Sequence, residues 1–121
     1  MIVTYEAAKH YDMIASWRPR MPRPEYVGSG LVVADVCAGF VGVVGGTHMA
    51  FFYGLVSNPR AEVMARGRWV KALTRQLRDE AKAAGLHYGV FTSRKPGVQR
   101  IGLEFSRDGG SRDYRLWEGP L

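Results

Sequence analysis

Arginine is the residue type whose abundance in this sequence points most directly to chemistry. Of the 17 basic residues, 13 are Arg, and the formal net charge is +6. A planar guanidinium holds a phosphate or a carboxylate through two parallel hydrogen bonds. The arginine content therefore favours an anionic partner, which could be a nucleic acid, an acidic protein or a phosphorylated cofactor. A GC-rich genome would give the same bias, and this alternative stays open.

Some of these cations could form a stripe along one helix. Such a stripe would suit a nucleic acid, but no aromatic stacking pattern or known nucleic-acid-binding motif accompanies it, so the signal is weak. Its members are Arg60, Lys71, Arg75, Arg78 and Lys82.

The sequence argues against a metal site and against disulfides. His10, His48 and His87 are too scattered to indicate a shared metal ion, so we predict none. Cys37 is the single cysteine, which excludes a disulfide framework and a multi-cysteine metal site. We expect it to be a small residue in a turn.

The composition is that of a chain with a hydrophobic core. With 121 residues, 46% of them hydrophobic and 23% charged, we predict a single domain over residues 1–121. No apolar run approaches the roughly 18 residues of a membrane-spanning helix. The first residues do not have the pattern of a signal peptide. We therefore expect no membrane partner and a cytoplasmic location.

Hydrophobic periodicity and turn residues predict the elements that position these side chains. We expect a strand over Met1–Tyr5 and a helix over residues 6–18, with Ile14 and Trp17 on one face and Pro19 as its stop. An antiparallel meander follows. Its predicted strands are residues 30–34, 39–44 and 49–56, joined by a turn at 35–38 and a tight turn at Gly45-Gly46.

A long helix follows the meander and ends at Gly85. Asn58 is a good N-cap, and Pro59 suits the first helical position. One apolar face repeats at helical spacing, through Val63, Val70, Leu73, Leu77, Ala81 and Ala84.

The remainder of the chain is predicted to complete a sheet. We expect strands over residues 87–92, 103–105 and 112–117, a helical turn over 98–101, and turns at 95–97 and 108–110. The fold class is therefore α+β (mixed α/β), a mixed sheet of about six or seven strands with one long central helix.

Several segments carry a resemblance to a known family. They are residues 30–35 and 38–42, residues 55–59, Arg66-Gly67-Arg68 with residues 72–85, and residues 100–105. In this order they resemble strands two to four, the donor-binding loop and helix, and the end of the last helix of the GNAT superfamily of acyl-CoA-dependent N-acyltransferases. The resemblance covers nearly the whole chain and rests mainly on element order. Short divergent members of this kind are common in tailed phages, and the chain resembles them.

The resemblance implies that acetyl-CoA is the acyl donor. The backbones of two residues would hydrogen-bond its pantetheine arm, and four more residues would hold its phosphates. The residues concerned are Leu55 and Val56 for the arm, and Arg66, Gly67, Arg68 and Lys71 for the phosphates. A solvated basic helix face is the other interpretation of the last four.

The donor-binding loop departs from the family pattern, Arg/Gln-x-x-Gly-x-Gly/Ala. Laying Arg66 on the first position puts Trp69 and Lys71 where the two glycines belong. Those glycines let backbone amides approach a diphosphate closely, so the loop is degenerate. If the helix instead begins at Pro59, Gly67 lies inside it, and the anion site becomes the amides of residues 60–62.

The acceptor chemistry is left open by the resemblance. Val98 stands near the place of the family's acidic Tyr, and Ser93-Arg94 replaces its frequent Asn. We therefore assign no catalytic residue. The candidate bases are Asp35, His48, Glu62 and Glu104, and the residues that would line the acceptor side are Trp17, Arg18, Arg20, Arg23 and Tyr26.

Three functions remain. The leading one is acetyl transfer from acetyl-CoA to an amine. The alternative is a catalytically inactive protein that keeps the scaffold for contact with another protein or for homo-oligomeric assembly. In that case a phage-encoded chain would act in the virion or bind a factor in the bacterial host cell. A basic nucleic-acid-binding protein is the least favoured. In the alternative functions, acetyl-CoA binding has been lost.

Overall fold

The computed structural model describes residues 1–18, 20–93, 107–108 and 115–120. Its elements are β1 (Ile2–Thr4), α1 (Ala7–Trp17), a 3-10 turn (Pro24–Tyr26), β2 (Gly30–Val33), β3 (Cys37–Val43), β4 (Met49–Ser57), α2 (Val63–Ala83), β5 (Tyr88–Ser93), β6 (Arg107–Asp108) and β7 (Arg115–Pro120). The hydrogen-bonded strand order is β1-β2-β3-β4-β5-β7-β6. Strands β4 and β5 are parallel, whereas β1–β2, β2–β3, β5–β7 and β6–β7 are antiparallel. The predicted mixed α+β class is confirmed.

The chain divides into two compact units. The first contains Met1–Phe40 and Gly54–Leu77, and the second contains Val41–Tyr53 and Arg78–Leu121. Strands β3 and β4 and helix α2 therefore contribute residues to both. The single domain predicted from the sequence stays a prediction.

The core of the first unit is built on β2, which is buried along its whole length. Leu31 pairs with Gly39 and Val32 pairs with Ala38, so these pairs point to opposite faces of the sheet, and both faces are buried. A methyl group on Gly39 would lie 2.9 Å from Leu73 and 3.0 Å from Leu77, so α2 packs directly on that face. Helix α1 adds the predicted Ile14 and Trp17 to the buried side chains.

Helix α2 buries the middle of its predicted apolar face. Val70, Leu73, Leu77 and Ala81 are all buried. Val63, by contrast, is 66% exposed, and Ala84 is exposed too. Val63 is the first helical residue and Ala84 lies beyond the last, so both fall at the ends of the buried stripe.

The second unit contains the β3–β4 hairpin and the strands that follow α2. The amide of Val44 bonds the carbonyl of Met49 at 3.1 Å, so the hairpin loop covers the residues left between the two predicted strands, and Gly46 has the expected positive φ of 75°. Gly85, with φ of 89°, ends α2 as predicted.

Strand β7 covers Arg115–Pro120 and so extends past residue 117, the predicted end of the last strand. Asp108 pairs with Trp117, so it belongs to a strand and not to a turn. The predicted elements over residues 95–97, 98–101 and 103–105 lie outside the described residues. None of the described helices is both long and apolar enough to cross a membrane.

Candidate functional site

Strand β4 leaves regular strand geometry at Gly54, which has a φ of 64°. A side chain there would be strained by the backbone and would also meet Phe40, whose ring lies 2.7 Å from the position of an added Cβ. A Cβ added to Gly30 would meet the same ring at even closer range. The ring of Phe40 therefore fills the space that two glycines leave open, and it fixes the bend in β4.

The bend lies two residues after the last described pair between β4 and β5. The described pairs run from Met49 with Tyr88 to Phe52 with Phe91, and β4 then continues to Ser57. A residue in the left-handed conformation inside a strand interrupts its ladder. Leu55 and Val56, the predicted pantetheine contacts, lie in this continuation, and Val56 is buried.

Asn58 is the centre of the loop between β4 and α2. Its amide donates to the carbonyl of Val36 at 2.7 Å, and its side-chain Nδ2 donates to the carbonyl of Asp35 at 2.9 Å. Its Oδ1 accepts from the amide of Arg60 at 2.9 Å, and its carbonyl accepts from the amide of Ala61 at 3.1 Å. The prediction that Asn58 caps the helix was wrong, because these bonds hold residues 58–61 in a turn and α2 begins only at Val63.

Glu62 is the residue that caps α2. Its Oε1 accepts from the amide of Met64 at 2.9 Å and its Oε2 from the amide of Ala65 at 2.6 Å. The amides of Ala65 and Met64, and then the nearby charges of Arg68 and Arg66, hold the pKa of this carboxyl below its ordinary value. The positive end of the helix is thus occupied by a carboxylate of the chain itself.

The segment predicted to bind phosphates is helical. Residues 66–71 lie inside α2, so their amides bond carbonyls of the preceding turn, as the amide of Arg66 does with the carbonyl of Glu62 at 2.8 Å. Nη1 of Arg66 donates to the carbonyl of Asn58 at 3.3 Å, and Arg68 and Lys71 are exposed. Gly67 lies inside the helix, as in the second sequence-based alternative, but the helix does not start at Pro59. Donor binding by these residues and by Leu55 and Val56 stays a prediction.

One residue of the predicted acceptor side lies at the bend in β4. Nη1 of Arg18 is 3.5 Å from the position of a Cβ on Gly54. Trp17 is buried, and Tyr26 is 71% exposed. Arg20 and Arg23 are exposed as well, and Nη1 of Arg23 lies 4.0 Å from Oε1 of Glu25. Sequence reasoning could not single out Arg18 among these residues, because its approach is to Gly54 on a strand distant in sequence.

Each candidate base that the structure describes has surroundings of its own. The carboxylate of Glu62 is engaged in capping, and Asp35 is an exposed turn residue with a φ of 60°. His48 lies in the second unit, where its ring centroid is 5.2 Å from that of His87. Glu104 lies outside the described residues, as do Arg94 and Val98.

Two histidines and the cysteine are the other reactive side chains considered from the sequence. The sequence did not predict that His48 and His87 lie close together. They do so because β4 and β5 start side by side as a parallel pair. Within the described ranges no three His, Cys, Asp or Glu residues gather as potential metal ligands. Cys37 is the first residue of β3 and not part of a turn, and burial raises its pKa to about 12.

A bent β4 beside a parallel β5, followed by a loop and a long helix, is the arrangement of the GNAT N-acetyltransferases, and solved structures of that class share the fold of this chain. N-acetylglutamate synthase of Neisseria gonorrhoeae, complexed with coenzyme A and N-acetyl-glutamate, matches with a TM-score of 0.75 at 13% identity, over 100% of this chain and 35% of that one. A candidate N-acetyltransferase of Lactobacillus plantarum gives 0.73 at 12% identity, over 100% and 97%. A GCN5-related N-acetyltransferase of Kribbella flavida gives 0.64 at 17% identity, over 100% and 97%.

The likeness is one of fold. No protein-family model and no curated protein matches the sequence. The chain spans about a third of the gonococcal synthase and nearly all of the other two proteins.

Proposed function

We propose that this protein transfers an acyl group from a pantetheine thioester, of which acetyl-CoA is the reference compound, to an amine. The observation that carries the proposal is the bend of β4 at Gly54, after which the strand continues past its last described pair with β5. The backbones of Leu55 and Val56 would receive the amide groups of the pantetheine arm as a neighbouring strand would. Similar folds in complex with coenzyme A support a donor of this kind.

The chemistry needs little from side chains once the donor lies along β4. The neutral amine attacks the thioester carbonyl, a C–N bond forms and the C–S bond breaks. The nitrogen loses a proton to water, and the thiolate leaves and is protonated. Holding the two reactants together supplies much of the rate enhancement in such reactions. We therefore assign no base or acid within the chain.

Arg18 would act on the acceptor. Its guanidinium lies beside the bend in β4, where the reacting carbonyl would be held. A cation at this position favours an acceptor amine that also carries a carboxylate or another anionic group. We expect Arg18→Gln to raise the KM of such an amine by about tenfold and to leave donor affinity unchanged, since one charge-assisted hydrogen bond contributes about that much.

Calorimetry and thiol release test the proposal together. We expect acetyl-CoA or S-acetylpantetheine to bind at millimolar concentration or below, and a panel of amines, including amino acids, to accelerate release of the free thiol. Gly54→Ala should abolish donor binding. Gly42→Ala is the matched control, because a methyl group there would come no closer than 3.6 Å to Tyr53. Absence of binding by both donors at millimolar concentration would remove the proposal.

A scaffold for protein contact is the second candidate, and exposed apolar side chains at the β3–β4 hairpin favour it. Val43 is 61% exposed, Val44 42% and Phe51 38%, with the ring of Phe51 stacked on that of Tyr53. Under this alternative the chain binds neither donor, and Val43→Ser with Phe51→Ser lowers the molar mass found by light scattering. A strictly monomeric protein that acylates an amine contradicts it.

A further inference from the structure

The tip of α2 is closed to an external anion by the chain's own carboxylate. Both carboxylate oxygens of Glu62 are bonded, to the amides of Met64 and Ala65, and its carbonyl accepts from the next amide, that of Arg66. The charge is present at neutral pH, because these amides and the guanidinium groups of Arg68 and Arg66 lower the pKa of Glu62. A diphosphate would have to displace a carboxylate that already makes charge-assisted hydrogen bonds.

The amides on either side of the tip are bonded within the chain. Before the tip, the amides of Arg60 and Ala61 are bonded to Asn58. After it, residues 66–71 are inside the helix, where each amide has a carbonyl partner. In an ordinary diphosphate loop the amides point at the ligand. The residues here do not fit a diphosphate.

Strand β4, along which the pantetheine arm of the donor would lie, differs from the tip of α2. Strand β4 runs on to Ser57 beyond its described pairs with β5, and its bend is fixed by Phe40 and Gly54. We infer that the donor is recognised as an acyl pantetheine thioester through its arm alone, and that Glu62 stands in the place of the nucleotide's diphosphate. The inference rests on the proposed function. The same thioester could come from two sources, which are free coenzyme A and a phosphopantetheine group on a carrier.

Donor fragments separate the arm from the nucleotide. The test measures by calorimetry the Kd values of acetyl-CoA, S-acetyl-4′-phosphopantetheine and S-acetylpantetheine for the full chain, at about 0.3 M NaCl so that general charge attraction is screened. We expect the three Kd values to agree within about threefold, because the nucleotide then contributes less to the binding free energy than one hydrogen bond does.

Removing the carboxylate should create the missing site. In Glu62→Ala we expect acetyl-CoA to bind about tenfold more tightly, because two amides are freed and a negative charge is lost, while S-acetylpantetheine binds as before. Glu62→Gln keeps one neutral acceptor and should show a smaller gain. Glu25→Ala is the matched control, since it removes the same charge from an exposed site on the 3-10 turn and should change neither Kd.

Each outcome has a distinct meaning. If the unaltered protein binds acetyl-CoA more than about tenfold tighter than S-acetylpantetheine, the nucleotide is recognised and the inference is wrong, while the proposed function stands. If no donor binds, the proposed function itself fails. If S-acetyl-4′-phosphopantetheine binds more than about tenfold tighter than S-acetylpantetheine, a phosphate is recognised and the inference is wrong as well. If acetyl-CoA binds more weakly than the two shorter donors, which agree with each other, the carrier-borne source is favoured and the inference holds. The comparison of donors uses the unaltered protein, so it remains decisive even where Glu62→Ala does not fold.

Discussion

Cys37 is a thiol whose surroundings remove its reactivity. It is fully buried at the start of β3, and burial raises its pKa to about 12. At pH 8 a free thiol is about a quarter thiolate, so we expect labelling by a disulfide reagent to be about a thousandfold slower in the folded protein than in guanidinium chloride. Stoichiometric labelling of the folded protein within seconds would contradict this burial.

The same shift has a consequence for stability. The unfolded thiol loses its proton near pH 8.5, whereas the folded one keeps it up to about 12. Since the unfolded state then binds fewer protons, the free energy of unfolding falls as pH rises through this window. Cys37→Ala should remove this contribution from the alkaline side of the stability profile.

Gly67 tests, at a single residue, whether the predicted phosphate-binding segment is a loop or a helix. It lies inside α2, and a methyl group there would meet nothing within 4 Å. We expect Gly67→Ala to raise the free energy of unfolding by about 1 kcal/mol, because alanine is the better helix former. Donor affinity should not change. A less stable protein in urea titrations would mean that the backbone at this position is not helical.

At the scale of elements, Asn58 connects the end of β4 to the turn between β2 and β3. Its side chain makes two hydrogen bonds, with the carbonyl of Asp35 and the amide of Arg60. We expect Asn58→Ala to lower the free energy of unfolding by about 1–2 kcal/mol, at about 1 kcal/mol for each bond, with an unchanged dependence on urea concentration.

A second substitution separates the contributions of these two hydrogen bonds to the free energy of unfolding. Asn58→Asp keeps the acceptor for Arg60 but loses the donor to Asp35, so we expect a loss between those of the unaltered protein and Asn58→Ala. Equal stability of all three proteins would show that the β4–α2 loop is held by its backbone bonds alone.

The elements that could be predicted from the sequence are those specified by local patterns. The period of Val70, Leu73 and Leu77 placed α2 and its buried face, and Gly85 gave its end, because both signals act within a few residues. The start of α2 was missed. Asn58-Pro59 is a good N-terminal signal locally, but the turn at Asp35, distant in sequence, binds the Asn58 side chain instead.

The same distinction applies to the candidate site, where features set by local sequence were predicted and features set by distant residues were missed. The position of Leu55 and Val56 near the end of β4 was predicted, because the end of an apolar strand can be read from sequence. Their contact with the donor rests on the resemblance and stays a prediction. The capping role of Glu62 was missed, because the helix start that would have revealed it was placed too early. The bend at Gly54 was missed as well. A glycine inside a strand can mark a bulge, but the role of Gly54 depends on a phenylalanine ring from another strand.

At the scale of the whole molecule, the net charge of +6 must be separated from specific recognition. A basic protein attracts any polyanion, including acetyl-CoA and duplex DNA, and that attraction acts over a screening length of about 10 Å at 0.1 M salt and about 3 Å at 1 M. Backbone hydrogen bonds to the uncharged pantetheine arm are local and are not screened in this way.

We therefore expect the Kd of S-acetylpantetheine to change by less than about twofold between 0.1 and 1 M NaCl, whereas affinity for duplex DNA falls steeply and any preference for acetyl-CoA disappears. Calorimetry across the salt series measures the donors, and fluorescence anisotropy measures the DNA. A preference for acetyl-CoA that persists at 1 M NaCl would require a desolvated phosphate site, and Glu62 could not then occupy the tip of α2. Arg66 and Arg68 would be the first residues to replace, because they are the cations closest to that tip along the helix.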